Sequence, residues 1–142
     1  MEVNVNWLAV VLATVSSMVV GSVWYARGVF GNKWIKLAKI DTKKMQGKGA
    51  GKAIVVTLFV SFLTAFVLAH VTFLAHNYFG DSFLQDSFST AFWVWAGFIA
   101  ARFITHDAFE GRPMALTCMN VAHEFVTIMV MALIIGAMPP AL

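Results

Sequence analysis

The sequence predicts an all-α integral membrane protein. A single domain, residues 1–142, forms a four-helix bundle whose spans run antiparallel, up-down-up-down. Three observations predict it. Of the 142 residues, 60% are hydrophobic and only 12% charged, against about 25% charged in a soluble domain. Four apolar stretches each hold roughly the 20 residues that cross ~30 Å of hydrocarbon. All ten Lys and Arg fall at the first and third connections or on the helix ends beside them, and the second connection and both termini have none. Basic loops stay in the cytoplasm, which puts both termini on the outer, periplasmic side. The net charge of +3 is therefore a topology signal rather than an affinity for nucleic acid. The one cysteine, Cys118, excludes a disulfide framework and paired-cysteine redox chemistry.

The first span covers 7–30. Trp7 and Trp24-Tyr25 stand near its ends, where amphipathic rings prefer the headgroup level. With no basic segment before it and no cleavage pattern after it, it reads as a retained anchor. Ala9, Ala13, Ser17 and Gly21 repeat every four residues and form a ridge that lets another backbone approach closely. Residues 31–52 hold Lys33, Lys36, Lys39, Lys43, Lys44, Lys48 and Lys52, interleaved with Trp34, Ile35, Leu37 and Ile40. The first half fits a short interfacial helix, and the whole reads as a topology determinant in preference to a lipid or phosphate site. The run from Gly47 to Lys52 fails as a phosphate loop. Gln46 stands where the first glycine is required, Ala53 replaces the Ser/Thr, and no strand precedes it.

The second span covers 53–76. Ala53, Thr57, Ser61, Ala65 and Ala69 make a second ridge. The two ridges are expected to mate, Ala13, Ser17 and Gly21 against Thr57, Ser61 and Ala65. His70, among Phe66 and Phe73, reads as a packing residue. The next loop carries Asp81 and Asp86, and Asp86 or Ser87 is placed to cap the third span, 87–106. That span holds Trp93 and Trp95, with Arg102 near its far end. A tight connection comes next, with Pro113 in the first turn of the fourth span, 113–137. Gly136 and Pro139-Pro140 end it.

The fourth span carries the chemistry. Thr117, Asn120, Glu124 and Thr127 sit at helical spacings of three, four and three, which puts them on one face. A carboxyl halfway along a membrane helix costs roughly 2.5–3.5 kcal/mol on insertion scales, so this face must point at protein. At ~1.5 Å rise per residue, Glu124 lies about 16 Å from Pro113, near the midplane; Ser61, Thr64 and Trp95 share its level and Arg102 lies roughly 9 Å lower. The candidate intramembrane polar site is therefore Glu124 with His123, Asn120, Thr117, Thr127, Trp95, Arg102, Ser61 and Thr64. No catalytic residue, cofactor or metal is assigned. His70 and His123 differ in depth by roughly 10 Å, too far for two ligands of one haem iron, and His123-Glu124 lacks the second histidine of a zinc-protease motif.

Two stretches resemble a known family. They are Trp24-Tyr25-Ala26-Arg27-Gly28-Val29-Phe30-Gly31-Asn32-Lys33-Trp34, and the run from Phe109-Glu110-Gly111-Arg112-Pro113 through Asn120 and His123-Glu124 to Ile134-Ile135-Gly136. Both are similar to the signature of a bacterial membrane family, domain of unknown function 1761. The resemblance implies a small multi-pass protein of the inner (plasma) membrane with four helices, and it implies no activity. Two functions then compete, the first preferred to the second; a third, a membrane enzyme, lacks a nucleophile–base pair or metal set. One is a non-enzymatic assembly or accessory protein, acting in the lipid bilayer as a homo-oligomer or with a membrane-protein partner; the ridges and the missing catalytic set support it. The other is an oligomeric channel or carrier for protons, cations or a small solute, with Glu124 as its site, because intramembrane ionisable residues mark such paths.

Overall fold

Helix α1, Trp7–Trp24, begins where Asn6 caps it: the Asn6 Oδ1 accepts from the Ala9 N–H at 3.2 Å. Its 18 residues reach about 27 Å. It stops short of the expected boundary at 30. The backbone becomes extended at Ala26 (φ −62°, ψ 144°), then passes through a π-helical turn, Arg27–Gly31, into the short helix α2, Asn32–Leu37. The break has a packing cause. It folds Trp24 onto Phe30, ring centroids 4.6 Å apart, and Tyr25 onto Trp34 at 4.9 Å, contacts that a straight helix would forgo. Helix α2 falls in the first half of the basic connection, where a short helix is expected. The computed structural model describes residues 3–41 and 49–141. Lys43, Lys44 and Lys48, and the start of the glycine-rich run at Gly47, lie outside the described residues.

Helix α3, Gly49–Phe79, is longer than the predicted span at both ends. Helix α4 (Phe83–Val94), a π-helical segment (Trp95–Ala100) and helix α5 (Ala101–Phe109) continue as one rod. Its start corrects the expected boundary at 87. Ser82 is the cap, its side chain accepting from the Gln85 N–H at 3.2 Å. Asp86 instead pairs with His76 Nδ1 at 2.9 Å, and the Ser87 hydroxyl donates to the Ala132 carbonyl at 2.7 Å. Both are buried and tie neighbouring helices together. The rod ends in a turn where the Arg112 N–H reaches the Asp107 carbonyl at 2.9 Å and the Gly111 N–H the Ala108 carbonyl at 3.3 Å. That pattern needs a left-handed residue, and Gly111 supplies it at φ 65°. Helix α6, Met114–Ala137, is the last of the described helices, with Pro113 as its extended flank.

All regular structure among the described residues is helical. Four helical stretches are long and apolar enough to cross a membrane: Trp7–Trp24, Gly51–Phe79, Phe83–Phe109 and Met114–Ala137. The core draws on all of them, with Val10 and Ala13 from α1, Ala65 and Leu68 from α3, Ala91 from α4 and Met131 from α6. It occupies the end of the bundle where the Asn6 amide donates to the Met138 carbonyl at 3.2 Å. There α4 and α6 nearly touch: a Cβ on Gly136 would lie 2.8 Å from Leu84 Cα. Toward its start α3 draws away from this core, and every residue from Gly51 to Val60 is exposed.

Candidate functional site

The departure of α3 opens a cleft of about 650 Å³. Thr57, Val60, Ser61 and Thr64 of α3 form one wall. Ile99, Arg102, Phe103 and His106 of the rod form the second, and Glu124, Thr127, Ile128 and Met131 of α6 the third. Asp107, Glu110 and Arg112 stand at the end where the rod turns into α6. The π-helical segment matters here. An extra residue in one turn rotates the downstream residues by about 100° around the helix axis, and Arg102 stands two residues beyond the segment.

Glu124 is a third exposed, its side chain at 34%, and its Oε1 lies 3.3 Å from His123 Nδ1. His123 is its one hydrogen-bond partner among the described residues. The imidazole packs against Trp24 (centroids 5.8 Å) and Tyr25 (4.9 Å). The Thr127 hydroxyl donates to the His123 carbonyl at 2.9 Å. The Tyr25 hydroxyl donates to Asn120 Oδ1 at 3.5 Å. The two signature stretches thus meet in space: the break after α1 brings Trp24 and Tyr25 onto Asn120 and His123.

Thr117 faces elsewhere. Its hydroxyl donates to Asp107 Oδ2 at 2.7 Å, and Asp107 is only 4% exposed. Arg112 Nε lies 3.6 Å from Asp107 Oδ1 and 2.6 Å from Glu110 Oε2. A buried carboxylate is costly unless hydrogen-bonded and paired, and these contacts do both. The single polar face expected on α6 is therefore divided among three neighbours. Ser61, Thr64, Arg102, Glu124 and Thr127 converge on the cleft, with His123 behind Glu124. Asn120 goes to Tyr25 and Thr117 to Asp107. Trp95 donates its indole N–H to the Val121 carbonyl at 3.1 Å rather than to Glu124.

The ridge residues separate too. Ala13 and Ala65 lie in the core, and Ser17 is buried with its hydroxyl on the Thr14 carbonyl. Gly21 packs toward α6, where a Cβ would meet His123 Nε2 at 3.6 Å. Thr57 and Ser61 stand on the cleft wall. Sequence reasoning did not place Asp107, His106, Arg112, Trp24 or Tyr25 beside the site. The available signal was the shortness of the α5–α6 turn, which brings residues on either side of it to one level.

The arrangement is suited to binding. It offers a carboxylate, a guanidinium and several hydroxyls on otherwise apolar walls. The profile of a family described as Protein of unknown function (DUF1761) matches residues 8–136. The chain belongs to this family. The match takes in α1 from its second residue, the cleft residues and the Trp24–Tyr25–His123 cluster, so the site lies within the DUF1761 region. Membership of DUF1761 carries no activity with it. No curated protein and no solved structure matches the chain.

Proposed function

We propose that this chain is a membrane carrier that binds a small solute in the cleft beside Glu124. One observation supports it above others: Glu124 and Arg102 line the same cavity of about 650 Å³, and Arg102 forms no ion pair among the described residues. Small-molecule pockets run to roughly 300–1,000 Å³, and ionisable residues at membrane depth mark substrate or ion paths. In this reading the four spans alternate in direction in a bacterial inner membrane, with both termini outside. Support comes from the pairs Asn6–Met138, Tyr25–Asn120 and Thr117–Asp107 and from the distribution of Lys and Arg. The end of the cleft near Arg112 then faces the cytoplasm. Four spans make a thin wall, so the working form is a homo-oligomer joined through lipid-facing apolar residues such as Val11, Val15 and Val19 of α1.

The competing reading, an assembly or accessory protein, draws on the small-residue ridges. Ala9, Ala13, Ala65 and Ala69 are buried inside one chain, so those positions are closed to a partner. The deciding property is water access. Ser61→Cys, in a Cys118→Ser background that removes the exposed native thiol, should react with a membrane-impermeant thiol reagent in inside-out vesicles. It should resist the reagent in right-side-out vesicles. No reaction from either side would leave Glu124 as dry interhelical glue and overturn the carrier reading.

A further inference from the structure

We infer that the ligand of the cleft is a small zwitterion, an ammonium group joined to a phosphate or carboxylate, held by Glu124 and Arg102 at once; the inference rests on the carrier reading above. Several charges at the cleft are already engaged. Arg112 is held by Glu110 at 2.6 Å and stands 3.6 Å from Asp107. Asp107 also accepts from Thr117. His106 lines the cleft near that turn. Glu124 has one oxygen toward His123, and its Oε2 has no partner among the described residues. Arg102 has none either. Two opposite charges therefore share one cavity and do not neutralise each other.

A simple cation bound at Glu124 would leave the arginine unmet and add a second positive charge to the cleft. A simple anion at Arg102 would crowd the carboxylate in the same way. A zwitterion answers both and enters with its own charges partly offset, which matters in a low-dielectric cleft. The guanidinium presents a fork of N–H donors to an oxyanion. An ammonium has three donors, enough for Glu124 Oε2 and for the hydroxyl of Thr57, which bonds to nothing among the described residues. Val60, Ile99 and Ile128 would cover the carbon link between the two charges. This chemistry occurs free, as in phosphoethanolamine, and as the headgroup of an aminophospholipid.

The test uses the full chain in nanodiscs of phosphatidylcholine, whose quaternary ammonium lacks N–H donors, and reads the rate of thiol modification of Ser61→Cys in the Cys118→Ser background. Phosphoethanolamine should slow the reaction at least fivefold at a concentration where ethanolamine or inorganic phosphate slows it less than twofold. Glu124→Gln and Arg102→Gln should each abolish the protection, and Arg102→Lys, which keeps the charge, should restore part of it. Size-exclusion profiles and melting curves check that each variant is folded. Protection by added phosphoethanolamine supports a free solute. Protection in phosphatidylethanolamine nanodiscs, with nothing added, supports the lipid headgroup. Equal protection by ethanolamine or by phosphate alone, protection that survives both charge removals, or no protection from either source overturns the zwitterion while leaving a water-filled cleft. A Ser61→Cys thiol that never reacts overturns the cleft reading and the inference with it.

Discussion

Asp107 shows how much one side chain can ask of its neighbours. Its carboxylate is buried and is met by a hydroxyl from the next helix and a guanidinium from the turn. Thr117→Val keeps the shape and removes the hydroxyl donor. The expected cost is about 1–3 kcal/mol, the penalty of a buried acceptor left unmet, read as a lower melting temperature in detergent; Thr117→Ser should recover most of it. Glu124→Gln should behave differently. It keeps an oxygen for His123 and stays within ~1 kcal/mol of wild type in the same measurement, while losing ligand protection. A large destabilisation instead would make Glu124 part of the scaffold. Thr117, Asn120 and Glu124 were legible in the sequence as polar residues on a membrane helix. Their partners were not, because Asp107 sits in a segment that reads as loop and Tyr25 in one that reads as continuous helix.

At the level of elements, two features matter, a close helix contact far from the cleft and a departure from ideal helix beside it. The first is the contact of α4 with α6 at Gly136. A methyl there would strike the backbone of Leu84, which cannot swing aside as a side chain would, so Gly136→Ala should destabilise by about 1–3 kcal/mol, read by thermal unfolding. The second is the π-helical segment between α4 and α5. Deleting Gly97, which has open space around it, should restore α-helical register and turn Arg102 by about 100°. Zwitterion protection of Ser61→Cys should then be lost in a protein that still folds. Retained protection would show that Arg102 does not depend on the segment. Neither feature was legible beforehand. Apolar length and terminal aromatics identify a span, but Ser82 rather than Asp86 caps the rod because Asp86 is drawn to His76 across the loop. That is a pairing between helices, absent from any local pattern.

For the molecule as a whole, composition and apolar length carried the broad outline, helical throughout its described regular structure with four candidate spans. They did not carry the cleft. The every-four pattern on α3 predicts close packing along its full length, yet it does so only where both helices offer alanine, at Ala65 and Ala69. Near Thr57 and Ser61 the helix departs. The orientation proposed above yields its own prediction. Reporter domains active only outside the cytoplasm should function when fused to either terminus and fail when inserted after Asp41; activity at the internal site would reverse the topology. The hydrogen bond between Asn6 and Met138 has one further consequence. Val5, Phe83 and Met138 border the same small hollow, so the two ends of the chain and the start of α4 are close neighbours. The gene should therefore accept circular permutation. A short linker would join residue 141 to residue 3, and new ends would open at Gly80 and Asp81. The order of spans around the bundle would stay the same, and each span would keep its direction through the bilayer.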